Sequence, residues 1–136
     1  MYETFEHTAD LGLRVRAADL QSLFAEAARG LFSIIVADLD AVRPLETVSL
    51  HVEGETSELL LFDWLNELLY IYETRRLLLA EFDIRLGPTG LTATARGEPI
   101  DPSRHTLDHE VKAITYHALK LERDADGWLA EVILDI

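Results

Sequence analysis

The sequence predicts an α+β fold, in which seven or eight strands in mostly antiparallel sheets pack with two long helices. Three observations predict it. Short stretches between Tyr2 and Ile136 alternate apolar and polar residues with period two. Two longer windows instead repeat apolar residues at helical spacing. Tight-turn chemistry, such as Gly87-Pro88-Thr89-Gly90 and Asp124-Ala125-Asp126-Gly127, joins several of the strand stretches, and such turns connect antiparallel neighbours. With 136 residues, 49% of them apolar, the chain reads as one domain over residues 1–136 with a real core.

Tyr2 to Glu6 alternates and reads as a strand. His7-Thr8-Ala9-Asp10 follows as a short turn-like segment. Leu11, Leu13, Val15 and Ala17 alternate with Gly12, Arg14 and Arg16 as a second strand. Asp19 is a natural N-cap, since its carboxylate can take up free backbone N–H groups. Behind it Leu20, Leu23, Phe24, Ala27, Ala28, Leu31 and Ile35 form the apolar stripe of a helix ending near Ile35 or Val36. Asp38 to Leu45 connects to a strand at Val48, Leu50 and Val52, which Gly54 ends.

Thr56 or Ser57 caps the second helix, which is apolar nearly all round from Leu59 to Tyr72 and so belongs in the centre of the domain. Phe82 to Leu86 and Leu91 to Ala95 pair as a hairpin, and Gly97 to Pro102 is a loop. A long strand runs from Val111, turns at Asp124–Gly127, and returns as Trp128–Ile136. In the long strand neither parity is cleanly apolar, for Thr115 and His117 share one face while Lys112 and Lys120 share the other. That pattern suggests that something besides packing chose its residues.

The chain carries 25 acidic and 12 basic residues, a formal net charge of −13. Nucleic acid is held chiefly through Lys and Arg on phosphate, so tight direct binding of RNA or DNA is not expected, nor is adsorption to anionic membranes. A basic protein partner or a metal cation suits this field. There is no cysteine, hence no disulfide, thiolate site or cysteine nucleophile. The start is acidic, and the greasiest stretch is interrupted by Asp63, Asn66 and Glu67. With neither a signal peptide nor a membrane span in view, the expected location is cytoplasmic.

Several residues have site chemistry, each beside a plainer reading. His7 to Asp10 taken alone is a turn, because Asp and Thr side chains bond nearby backbone. Asp135 and the carboxylate of Ile136 are either a frayed end or, given the apolar alternation up to Ile136, a docked pair needing a cation or a Lys between them. Lys112 is a solvent-facing strand residue or a counter-charge to the acids. His105, His109 and Glu110 have ligand chemistry but match no zinc spacing. An oxygen-rich set such as Asp10, Asp108, Asp135 and the terminal carboxylate would favour Ca²⁺, Mg²⁺ or Mn²⁺. No glycine-rich phosphate loop or nucleophile elbow is present. Residue chemistry thus leads to an acidic α+β domain with a carboxylate-rich cation site.

Five motifs in order go further: His7-Thr8-Ala9-Asp10-Leu11-Gly12, Trp64-Leu65-Asn66-Glu67-Leu68-Leu69, Gly97-Glu98 with Arg104-His105, Glu110-Val111-Lys112-Ala113-Ile114-Thr115-Tyr116-His117, and Ile133-Leu134-Asp135-Ile136. With these the chain resembles the archease family across essentially its whole length. The resemblance implies a protein that is not itself an enzyme. It would assist an RtcB-type RNA-splicing ligase, which joins tRNA exon halves through a guanylylated histidine and Mn²⁺. It would promote ligase guanylylation and turnover and widen the nucleotides used. It implies roles for Asp10, Lys112 and Asp135 in ligase activation. A divalent ion is implied among the acids at Asp10, Asp135 and Ile136, with Ca²⁺ the first choice in isolation. His7, His105, Asp108, His109 and Glu110 could support that site. Two other expectations stand beside it, a chaperone-like binding module and a metal-dependent hydrolase using Asp10, His105 and Asp135.

Overall fold

A computed structural model of the chain describes every residue except Thr8 and Ala9, together with the side chain of His7. The expected turn at His7–Asp10 therefore lies largely outside the described residues. Among the described residues, seven strands form two antiparallel sheets. Strands β1 (Tyr2–His7), β2 (Asp10–Ala17), β6 (Ala113–Asp124) and β7 (Gly127–Asp135) make the first sheet, in the order β1-β2-β7-β6. Strands β3 (Glu46–Glu53), β4 (Leu77–Gly87) and β5 (Gly90–Pro99) make the second, in the order β3-β5-β4.

Helix α1 (Leu20–Ile35) lies against β2 of the first sheet and β4 of the second. Asp19 caps it through the Ser22 N–H at 2.8 Å, which takes up one of the donors a helix start leaves unpaired. Leu23, Phe24, Ala27, Leu31 and Phe32 are fully buried along it. Helix α2 (Ser57–Arg75), capped by Thr56, packs against α1 and β6. Its Trp64 is fully buried, and the indole N–H donates to the Phe24 carbonyl at 3.0 Å, tying the two helices together. Burial is not all round, however: Leu59 and Tyr70 are exposed on the outer face. Among the described residues no helix is long and apolar enough to cross a membrane.

Three further expectations need correction. First, β4 begins at Leu77, because the run Leu77–Ala80 is buried and its unbroken apolarity hides the strand period. Secondly, β5 continues to Pro99, so Gly97 and Glu98 are strand residues and not loop. Gly97 faces the bulge between Leu79 and Glu81, where a Cβ would meet the Leu78 carbonyl. Only glycine admits that approach of two backbones.

The third correction concerns β6. Thr115 pairs with Ile133 and Lys120 with Glu131, so β6 spends three more residues than β7 over this span. Ala118, at φ 57°, turns the chain there. An odd number of extra residues exchanges the two faces. Ile114 is buried before the bulge, whereas Leu119 and Leu121 are the half-buried positions after it. The mixed parity of this strand is thus the signature of a bulge, and packing does explain it.

Candidate functional site at the end of the first sheet

Strand β2 begins at Asp10 and β7 ends at Asp135. Leu11 pairs with Leu134 and Gly12 with Ile133. One step outward along the same register, Asp10 lies opposite Asp135 on the neighbouring strand. Adjacent strands lie about 4.8 Å apart and opposed residues leave the sheet on the same side. The first strand start and the last strand end therefore share one edge of the fold. Both aspartates are half-buried.

Lys112 joins this edge from the third strand. Its backbone N–H donates to the Asp135 carbonyl at 2.7 Å, and Ala113 pairs with Asp135. By strand alternation the Lys112 side chain then leaves from the opposite side to Asp135. Among the described residues its ammonium makes no ion pair with Asp135. It instead lines a cleft of about 530 Å³ with Tyr72, Arg76, Asp108, His109 and Glu110. Arg76, in the left-handed conformation at the α2 C-terminus, places its guanidinium over the Tyr72 ring, 5.3 Å from its centroid.

The segment carrying Lys112 is laid along the end of α1. Ala37 N–H donates to the Thr106 carbonyl, and Leu107 bridges to Val36. The N–H groups of Asp108 and His109 donate to the carbonyls of Ile35 and Ile34 at 2.8 and 3.0 Å. Those carbonyls belong to the last turn of the helix, which has no donors of its own. Asp108 and His109 face each other at 3.6 Å on the surface, and Glu110 is exposed beside them.

His105 does not join the acids. Its Nδ1 accepts the Asp101 N–H at 2.9 Å, which leaves the proton on Nε2, directed at Glu98 Oε2 at 3.2 Å. Both ring nitrogens are committed and the side chain is fully buried. The structure therefore does not bring His105 to Asp10 and Asp135, either as a support for the acids or as their partner in a metal-dependent hydrolase.

The strongest electrostatic feature was not expected as a site. Glu98, only 3% exposed, is the acceptor at the centre of a charged cluster. Arg104 donates to Oε1 at 2.6 Å and Arg43 Nη2 at 3.2 Å, while the Arg43 backbone N–H donates to Oε2 at 2.6 Å. Burial alone would raise the carboxyl pKa. The hydrogen bonds from Arg104, Arg43 and His105 outweigh it and hold the pKa down at about 2. Gly97-Glu98 and Arg104-His105 stood out as motifs, but nothing in the connector marked Arg43 as their partner.

The acid edge offers oxygen donors only, which is the chemistry of hard divalent ions. It supplies the carboxylates of Asp10 and Asp135 and the main-chain oxygen of Ile136. Among the described residues no group of three or more His, Asp or Glu side chains is arranged around one point. Oxygen donors are the kind that Ca²⁺, Mg²⁺ and Mn²⁺ take, but the described side chains do not by themselves surround an ion.

Fold and site together define a small acidic α+β protein with two half-buried aspartates at one end of the inner strands of its four-stranded sheet. The sequence model of the Archease protein family matches residues 2–136. The archease of Methanopyrus kandleri is 42% identical, covering 99% of both chains, and that of Pyrococcus abyssi is 40% identical over 99% of this chain and 98% of its own. The solution structure of protein 1598 of Methanobacterium thermoautotrophicum superimposes with a TM-score of 0.88 at 34% identity, over 99% of this chain and 98% of that one. A Thermotoga maritima crystal structure described as an archease and possible chaperone gives 0.69 at 25% identity, over 100% and 98%. The chain belongs to the archease family.

Proposed function

We propose that this chain activates an RtcB-type RNA ligase, promoting its guanylylation and so its repeated turnover in tRNA splicing and RNA repair. The observation that carries the reading is the register that sets Asp10 beside Asp135, with Lys112 bonded to the same strand end. These are the residues to which the family likeness attaches importance. The edge presents carboxylates to the partner's catalytic centre. A divalent ion held by Asp10, Asp135 and the Ile136 main-chain oxygen would supply a fixed positive charge there. Lys112, on the other side of the sheet, meets the ligase surface. With a net charge of −13 the chain approaches the ligase and leaves RNA to it.

A general chaperone is the second reading, favoured by Leu59 and Tyr116, which are exposed on neighbouring surfaces of α2 and β6. Multiple-turnover RNA ligation by a purified cognate ligase separates the two. The activator reading expects a small molar fraction of this protein to carry ligation through many rounds. Equal product with and without it contradicts that reading. Stimulation by an unrelated acidic chaperone to the same level supports the second.

A further inference from the structure

We infer that Glu98 is a positioning residue for ligase activation: its buried carboxylate clamps the turn that delivers Lys112 to the acid edge. This inference rests on the activator reading above. Glu98 gathers groups from two segments outside its own strand. Arg43 comes from the connector after α1, and Arg104 and His105 come from the turn after β5. Arg104 also donates to the Ala41 carbonyl at 2.9 Å, so the turn is pinned to the connector twice. The turn itself is closed by the His105 N–H on the Asp101 carbonyl at 2.7 Å and by the Asp101 N–H on the His105 ring.

From that fixed point at His105 only six residues lead to Lys112. They are held along the end of α1 by the bonds of Thr106, Asp108 and His109, and by Val111, which is 2% exposed. The path ends at the Lys112 N–H bond to Asp135. A displaced His105 therefore shifts the N-terminal anchor of the whole path. A charged cluster is an uneconomical way to add stability, because apolar residues of similar volume often serve as well or better. What its directional bonds add is one defined placement of the backbone that follows.

The test compares Glu98→Gln with the wild-type chain. Glu98→Gln keeps the size of the side chain and removes its charge. Amide hydrogen exchange is measured on the protein alone, and stimulation is measured with purified ligase. Exchange at Asp108, His109 and Lys112 is expected to rise about tenfold, with the amides of central α2 unchanged, since opening is local. Stimulation at saturating protein is expected to fall several-fold. If those three amides exchange as in the wild type, or in step with the whole molecule, the inference is overturned. If they loosen and stimulation stays at the wild-type level while Asp10→Asn abolishes it, the positioning role is overturned and the activator reading stands. If Asp10→Asn stimulates fully, the role given to the acid edge fails, and if the wild-type chain gives no stimulation the activator reading itself fails. Should Glu98→Gln not fold, Arg104→Gln, whose side chain is 31% exposed, carries the same comparison.

Discussion

Asp10→Asn and Asp135→Asn are each expected to reduce stimulated RNA ligation by at least about tenfold while the protein remains folded. Both side chains end strands on the same edge and both are half-buried. A hydrogen bond to a charged group is worth about 1.5–3 kcal/mol, a factor of roughly 10–100 in binding. Asparagine keeps the volume and one acceptor oxygen, so the loss reads the charge and not the shape. Partly exposed strand ends carry little packing, and the cost in stability is expected to stay within about 1 kcal/mol. Because the two residues act at one point, the double variant should be scarcely worse than either alone. Multiple-turnover ligation with each variant, beside its thermal unfolding curve, checks both halves of the expectation.

The largest expected effect on stability is at Trp64. Its indole is fully buried, meets Phe82 edge-on at 6.2 Å, and bonds the Phe24 carbonyl. Trp64→Ala should cost about 3–5 kcal/mol, the usual range for emptying an aromatic site in a core. For a domain of this size that lowers Tm by roughly 10 °C or more. Trp64→Phe should cost less, because part of the ring volume is retained and the Phe24 carbonyl lies inside α1. Thermal denaturation followed by circular dichroism distinguishes the three proteins.

The parts of the fold that were legible in sequence are those decided by near neighbours. The Asp19 cap and the apolar stripe behind it fix α1 from Leu20 to Ile35. Thr56 fixes the start of α2, and Asp126-Gly127, with Gly127 at φ 130°, fixes the last hairpin. Leu77 to Ala80 was illegible because a run buried along its whole length has no period to read. The bulge in β6 was illegible because parity arguments assume one unbroken register, and Tyr116–Leu119 break it.

The site divides in the same way. Asp10 and Asp135 stood at opposite ends of the chain, and only strand order brings β2 beside β7. The placement of His105 could not be read, since its partner Glu98 lies in a strand whose length was underestimated. Arg43, 55 residues from Glu98, carries no periodic or motif signal at all.

The central claim is that this protein works on another protein's active centre. Its most direct measurement is the rate of guanylylation of a purified RtcB-type ligase, in the presence of GTP and Mn²⁺, with and without a substoichiometric amount of this chain. The account predicts that the guanylylated ligase forms faster, and forms again after each ligation. An identical rate with and without the chain would contradict it.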